Sequence, residues 1–139
     1  MITDIRVDKV EANRYNFEPI SNMKFNINFD DVKVEQGNVN VTFTFSTQYE
    51  SGNPASPKQA GEIKITGKVI SKEEKKDIDE IEQVWKAKKT LPIPFAENVV
   101  NLLNFECGAR GTLAAYSIGL VAPLPLSRAR LQETPAPSK

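Results

Sequence analysis

The side chains able to do chemistry in this chain are few, and their spacing gives most of them to the scaffold. Cys107 is the one cysteine, and histidine is absent. That removes the usual general base near neutral pH, the Ser-His and Cys-His nucleophile pairs and the commonest transition-metal ligand. Cys107 falls in an apolar helical stretch without a partner base, so a buried structural thiol is the expectation. Acids gather twice, as Asp30-Asp31 with Glu35 and as Asp77, Asp79, Glu80 and Glu82. A hard cation needs several converging oxygens, and neither group has the spacing of an EF-hand loop. The second group sits near the start of a predicted helix, where the dipole favours acids. Gly108 and Gly111 lie inside a predicted helix rather than between a strand and a helix start, so they do not form a phosphate loop. Lys86-Ala87-Lys88-Lys89 suits an anionic partner, but cations at a helix C-terminus also complement its dipole. Acids, lysines and tyrosines can catalyse without histidine, and a carboxylate beside Tyr116 or a lysine in a deep polar pocket would be the sign of it. No such pairing is visible in the spacing. The expectation is a protein that is not an enzyme and takes no cofactor and no metal.

Composition narrows the partners. Eighteen basic residues balance eighteen acidic ones in a chain of 139, so there is no net field of the kind that holds nucleic acid. Apolar residues come in short alternating runs, well short of the ~20 needed to span a bilayer, which predicts a soluble protein without membrane insertion. Residues 1–6 carry no apolar core of a secretory signal, and a single cysteine suits a reducing compartment. A cytoplasmic location is expected.

The elements that must position these residues follow from periodicity. Ile5 and Val7 alternate with charge, then the parity shifts to Val10 and Ala12, which predicts a first strand over residues 2–12 with a bulge. Met23, Phe25, Ile27 and Phe29 share one face of a second strand, whose parity changes at Asp30-Asp31 before Val32 and Val34. Gln36-Gly37-Asn38 marks a hairpin turn. Val39, Val41, Phe43, Phe45, Thr47 and Tyr49 make the cleanest alternation of all, and Ile63, Ile65, Gly67 and Val69 a fourth strand. Ser71-Lys72-Glu73-Glu74 has the spacing of a capping box and predicts a helix start. Ile78, Ile81, Val84 and Trp85 then recur at helical spacing. Leu91-Pro92-Ile93-Pro94-Phe95 interrupts that helix, with Pro94 fitted to the first turn of the next. From Ala96 to about Ile118 a broad apolar stripe predicts a long second helix, in which Gly108 and Gly111 suggest a weak point or a close approach by another backbone. The prediction is an α+β fold, a four-stranded antiparallel sheet followed by two helices. Residues 1–126 form its single domain, with 122–126 extended, and 127–139 are a flexible tail.

These elements carry more apolar surface than one sheet face requires. An exposed apolar groove rimmed by polar residues suits an extended peptide, and burial between copies of the chain would use the same surface.

The order of four strands, a helix, a proline-containing loop and a longer helix resembles the SecB-like export chaperones. Leu91-Pro92-Ile93-Pro94-Phe95-Ala96-Glu97, followed by Val99, Val100, Leu102 and Leu103, is similar to the family's opening of its last long helix. Val121-Ala122-Pro123-Leu124-Pro125-Leu126 is similar to the extended stretch after it. The resemblance implies an ATP-independent holdase that keeps unfolded or extended polypeptide clients soluble in apolar grooves, as a homo-oligomer (dimer or tetramer). It places a groove between the sheet and the 91–95 loop, with Phe43, Phe45, Trp85, Leu91, Ile93 and Phe95 as client contacts. The acidic surface with which relatives dock on a secretion motor is not concentrated in this neutral chain, and Ser127-Arg128-Ala129-Arg130 is basic. General client holding and pairing with a toxin–antitoxin system are the other roles the resemblance implies.

Overall fold

A computed structural model describes residues 1–123. The chain runs β1 (Ile2–Arg14), β2 (Ile20–Glu35), β3 (Asn38–Ser51), β4 (Lys58–Lys72), α1 (Lys75–Lys88) and α2 (Ile93–Ser117). The four strands form one antiparallel sheet in the order β1-β4-β3-β2, and the two helices follow, so the α+β layout is that predicted. The expected tail over 127–139 lies outside the described residues.

β2, β3 and β4 are joined as successive hairpins, and β1 returns beside β4 in the manner of a Greek key. Gln36 and Gly37 both have positive φ, 51° and 80°, which gives the two-residue hairpin turn whose twist matches its strands. Both parity shifts read from the sequence are register shifts: Val7/Lys9 in β1 and Phe29/Asp31 in β2. The β1–β2 connection must cross three strand spacings, about 14 Å. It is pinned to the sheet's end by Tyr15 N–H to Ala60 O (2.8 Å) and Asn16 Nδ2 to Ser51 Oγ (3.1 Å).

β3 shows why the sheet has one dry face. Its odd positions from Val39 to Ser51 are all buried, while every even position keeps some exposure. The opposite face is a polar lattice of asparagine, threonine, lysine and glutamate, tied by pairs such as Gln48 to Glu62 (2.8 Å) and Lys24 to Glu50 (3.2 Å). Both helices lie on the dry face. Ile78, Ile81 and Trp85 of α1 pack with Val39, Val41, Leu91 and Ala96, and α2 covers Phe43, Phe45, Tyr49, Ile63 and Ile65.

Two local expectations need correction. The capping box does not form: β4 continues through Ser71 and Lys72, and α1 begins at Lys75 after Glu74, without a side-chain cap. Ser71 is buried at the strand end and its hydroxyl donates to Glu73, so the sheet has claimed the group the cap required. α2 begins at Ile93 rather than Ala96, with Pro92 as its N-cap and proline in its first turn, where the missing N–H costs nothing.

A candidate binding surface on the helical side

The groups singled out as reactive are occupied by structure. Cys107 is fully buried on the sheet side of α2, and burial pushes its thiol up to about 12. Asp30 accepts from Thr44 Oγ1 (2.6 Å), Asp31 from its neighbour's N–H on Val32 (2.9 Å) and Glu35 from Asn40 Nδ2 (3.3 Å). Among the described residues no cluster of three or more His, Cys, Asp or Glu is placed to hold a metal ion. Lys89 closes α1 in a left-handed conformation, its N–H bonded to Trp85 O (2.8 Å) and its ammonium 5.5 Å from the Trp85 ring. Tyr116 is 87% exposed on the outer side of α2. No helix among the described residues is long and apolar enough to cross a membrane.

Of the six residues expected to contact a client, four are core in the single chain. Phe43 and Phe45 have no exposed surface, Leu91 is 2% exposed and Trp85 8%. Their burial follows from position: β3 is an inner strand lying under both helices, and Trp85 points from α1 into the same layer. Trp85, Leu91 and Phe95 share one cluster, and Phe95 also packs on the cluster that holds Phe43 and Phe45. Ile93 and Phe95 keep partial exposure. They flank two hollows that meet at the linker. One, of about 320 Å³, lies between Ile2, Ile81, Pro92, Pro94 and Phe95 and is rimmed by Glu73, Asp77 and Glu80. The other, of about 340 Å³, is lined by Val84, Lys88, Leu91 and Ile93. Burial works against ionisation of Glu73, but hydrogen bonds from the Met1 ammonium (2.6 Å) and Ser71, with the charge of that ammonium, hold its carboxyl below the usual range.

The larger apolar surface lies elsewhere, on α2 and β2. Ala96, Val99, Leu103, Cys107, Gly111 and Ala115 form the sheet-facing side of α2, all buried. Half a turn away, Leu102, Phe105, Ala109, Leu113 and Tyr116 recur at three and four residues and form a second stripe. Phe105 is 72% exposed and Leu113 76%. A helix apolar on all sides is ordinarily buried on all sides; among the described residues Leu102 packs against the core, while Phe105 and Leu113 are left uncovered. On β2, Met23, Phe25 and Ile27 point to the dry face of the sheet, yet Phe25 is 38% exposed and the other two are only half-buried. Opposite Phe25 in the ladder, Thr47 keeps a fully buried hydroxyl without a hydrogen-bond partner among the described residues.

The sequence reading placed Leu102 and Leu113 in one broad stripe with Val99 and Leu103 and did not separate the two sides. The signal was present in the spacing: residues 99, 103, 107, 111 and 115 take one side of a 3.6-residue period and 102, 105, 109, 113 and 116 the other. Only Glu97, Glu106 and Arg110 carry charge between Ile93 and Ser117, and Glu106 pairs with Arg110 at 2.6 Å. No family model matches the chain, and no curated protein matches it.

Proposed function

We propose that the protein is a non-enzymatic, SecB-like holdase that binds unfolded or extended polypeptides without ATP. The observation that carries this reading is the outer stripe of α2, where Phe105, Leu113 and Tyr116 are each more than two-thirds exposed. An apolar stripe of this kind suits non-directional association with apolar side chains, driven by area removed from water at about 25 cal/mol per Å² before ordering costs. The half-covered Phe25 strip and the hollows beside Ile93 and Phe95 extend the same chemistry across the helical side. The polar side of the sheet keeps the loaded particle soluble. The test is light scattering by a reduced, aggregating client at stoichiometric protein and no nucleotide. Suppression is the expected result, and unchanged scattering sinks the proposal.

One observation favours a second reading, a structural or adaptor oligomer that buries this surface in itself. The spacing of Leu102, Phe105, Ala109, Leu113 and Tyr116 is that of a helix-pairing seam. Solution mass separates the two when combined with the scattering assay, since this reading predicts a dimer or tetramer that suppresses nothing.

A further inference from the structure

On the polar face of the sheet, away from both helices, a hollow of about 540 Å³ opens near the turn between β2 and β3. Its floor is Ile70, half-buried on β4 between Lys68 and Lys72 and paired with Asp4 on one side and Asn40 on the other. An isoleucine is out of character there, since the neighbouring positions of that face on β3 are Asn38, Asn40 and Thr42. Arg6 on β1 stands directly opposite Lys68 in the ladder, and like charges in a cross-strand pair cost stability. Arg6 is offset by Asp4 at 2.9 Å. Lys68 has neither an ion pair nor a hydrogen bond among the described residues. The acids around it are engaged elsewhere: Glu35 accepts from Asn40 Nδ2 (3.3 Å), Asp8 from Thr66 Oγ1 (2.8 Å) and Asp31 from the Val32 N–H (2.9 Å). The charge left over in the hollow is therefore the Lys68 ammonium. On the far wall Gln36 and Asn38 present side-chain amides. The positive φ of Gln36 and Gly37 shapes that wall, and the Glu73 N–H, bonded to Gly37 O (3.4 Å), ties it to the end of β4.

We propose that this hollow binds a carboxylate carried on a short aliphatic body with an amide beside it, the chemistry shared by an N-acyl amino acid and by the C-terminal residue of a peptide. Lys68, with Arg6 behind it, takes the carboxylate through charge-assisted hydrogen bonds. Ile70 takes the aliphatic side chain, and Gln36 and Asn38 supply the donors and acceptors that an amide requires. The carboxylate also relieves the repulsion between Arg6 and Lys68. Because the strands hold these groups in a continuous ladder, little has to be ordered on binding.

The site lies on the opposite face from the holdase surface and stands or falls without it. N-acetyl-leucine is titrated into the nitrogen-15-labelled full-length chain, and the amide signals of Asn38, Asn40, Lys68 and Ile70 should shift and saturate together. Lys68→Gln should weaken binding about tenfold, the loss of one hydrogen bond to a charged group. Lys68→Arg, which keeps the charge, and Lys64→Gln, further along the same face, should bind as the parent does. N-acetyl-leucinamide, without the carboxylate, and acetate, without the aliphatic body, should each bind far more weakly. A short peptide ending in leucine distinguishes the sources: tighter binding than N-acetyl-leucine assigns the hollow to chain termini, and equal or weaker binding to free acids. Absence of saturable shifts, unchanged affinity in Lys68→Gln, or equal affinity for the leucinamide or for acetate overturns the proposal.

Discussion

The two helices lie on the same face of the same sheet and answer to water differently. α1 is amphipathic in the ordinary sense: Ile78, Ile81 and Trp85 face inward, and Lys75, Lys76, Asp79, Glu80, Lys86 and Lys88 are exposed. α2 buries its inner stripe equally well but carries Phe105, Leu113 and Tyr116 outward. The folding of one chain explains all of α1 and half of α2. A helix covers a sheet with one side only; of the outer stripe Leu102 reaches the edge of the core, while Phe105, Leu113 and Tyr116 stay exposed among the described residues. Its composition therefore points to contact with something beyond that core.

The comparison breaks most visibly in stability. Leu103→Ala, on the inner side of α2 and fully buried, should destabilise the fold by about 2–5 kcal/mol through lost burial and the cavity left behind. Trp85→Ala, on the inner side of α1, should cost about 3–5 kcal/mol. Urea unfolding of each variant measures both. Similar losses would show that the inner sides are equivalent and that the helices differ only outward.

Alkaline titration sharpens the inner half of the contrast. Burial pushes both the Cys107 thiol and the Tyr49 hydroxyl up to about 12, from ordinary values of 9.0 and 10.0. The unfolded chain loses these protons at lower pH than the folded one, so above pH 9 the folded state holds more of them and stability falls as pH rises. Their contribution is fully present below pH 9 and lost as pH approaches 12. The urea midpoint should decline across that window, and Tyr49→Phe should flatten the part above pH 10. An unchanged slope in that variant would mean Tyr49 ionises as freely folded as unfolded.

Thr47→Val is expected to stabilise, by about 1 kcal/mol, because it replaces a buried hydroxyl without a partner among the described residues by a methyl group of the same shape. A loss of stability would mean that the hydroxyl is satisfied in solution. Thr47 lies under the Phe25 strip, so that result would locate a polar contact in the trough.

The strands were legible because β-sheet periodicity is local: alternation from Val39 to Tyr49 needs no knowledge of neighbours, and even the bulges at Val7/Lys9 and Phe29/Asp31 left a parity change in the sequence. The start of α1 was not, since Ser71 satisfies both a cap and a strand end and only the ladder with β1 and β3 decides between them. The surface was half legible. Aromatic residues in β3 looked available because sequence shows which residues share a face but not what lies over it; α2 takes Phe43 and Phe45 completely. Phe105 was overlooked, and Tyr116 was weighed only as a catalytic group, because a broad apolar helix reads as a core helix until the number of covering layers is known.

The smallest expected change in stability carries the most about α2. Phe105→Ser and Leu113→Ser remove apolar groups that are 72% and 76% exposed, so each should shift folding stability by no more than about 0.5 kcal/mol. Under the holdase reading the same changes should weaken suppression of client aggregation several-fold while leaving the mass in solution unaltered. If the stripe is instead an obligatory seam between copies, the variants lose both oligomer and stability, because assembly is linked to folding and its loss lowers apparent stability in a concentration-dependent way. Measuring the urea midpoint at two protein concentrations separates these outcomes. A midpoint independent of concentration, with suppression impaired, places Phe105 and Leu113 against clients; a concentration-dependent midpoint places them against a second copy of the chain.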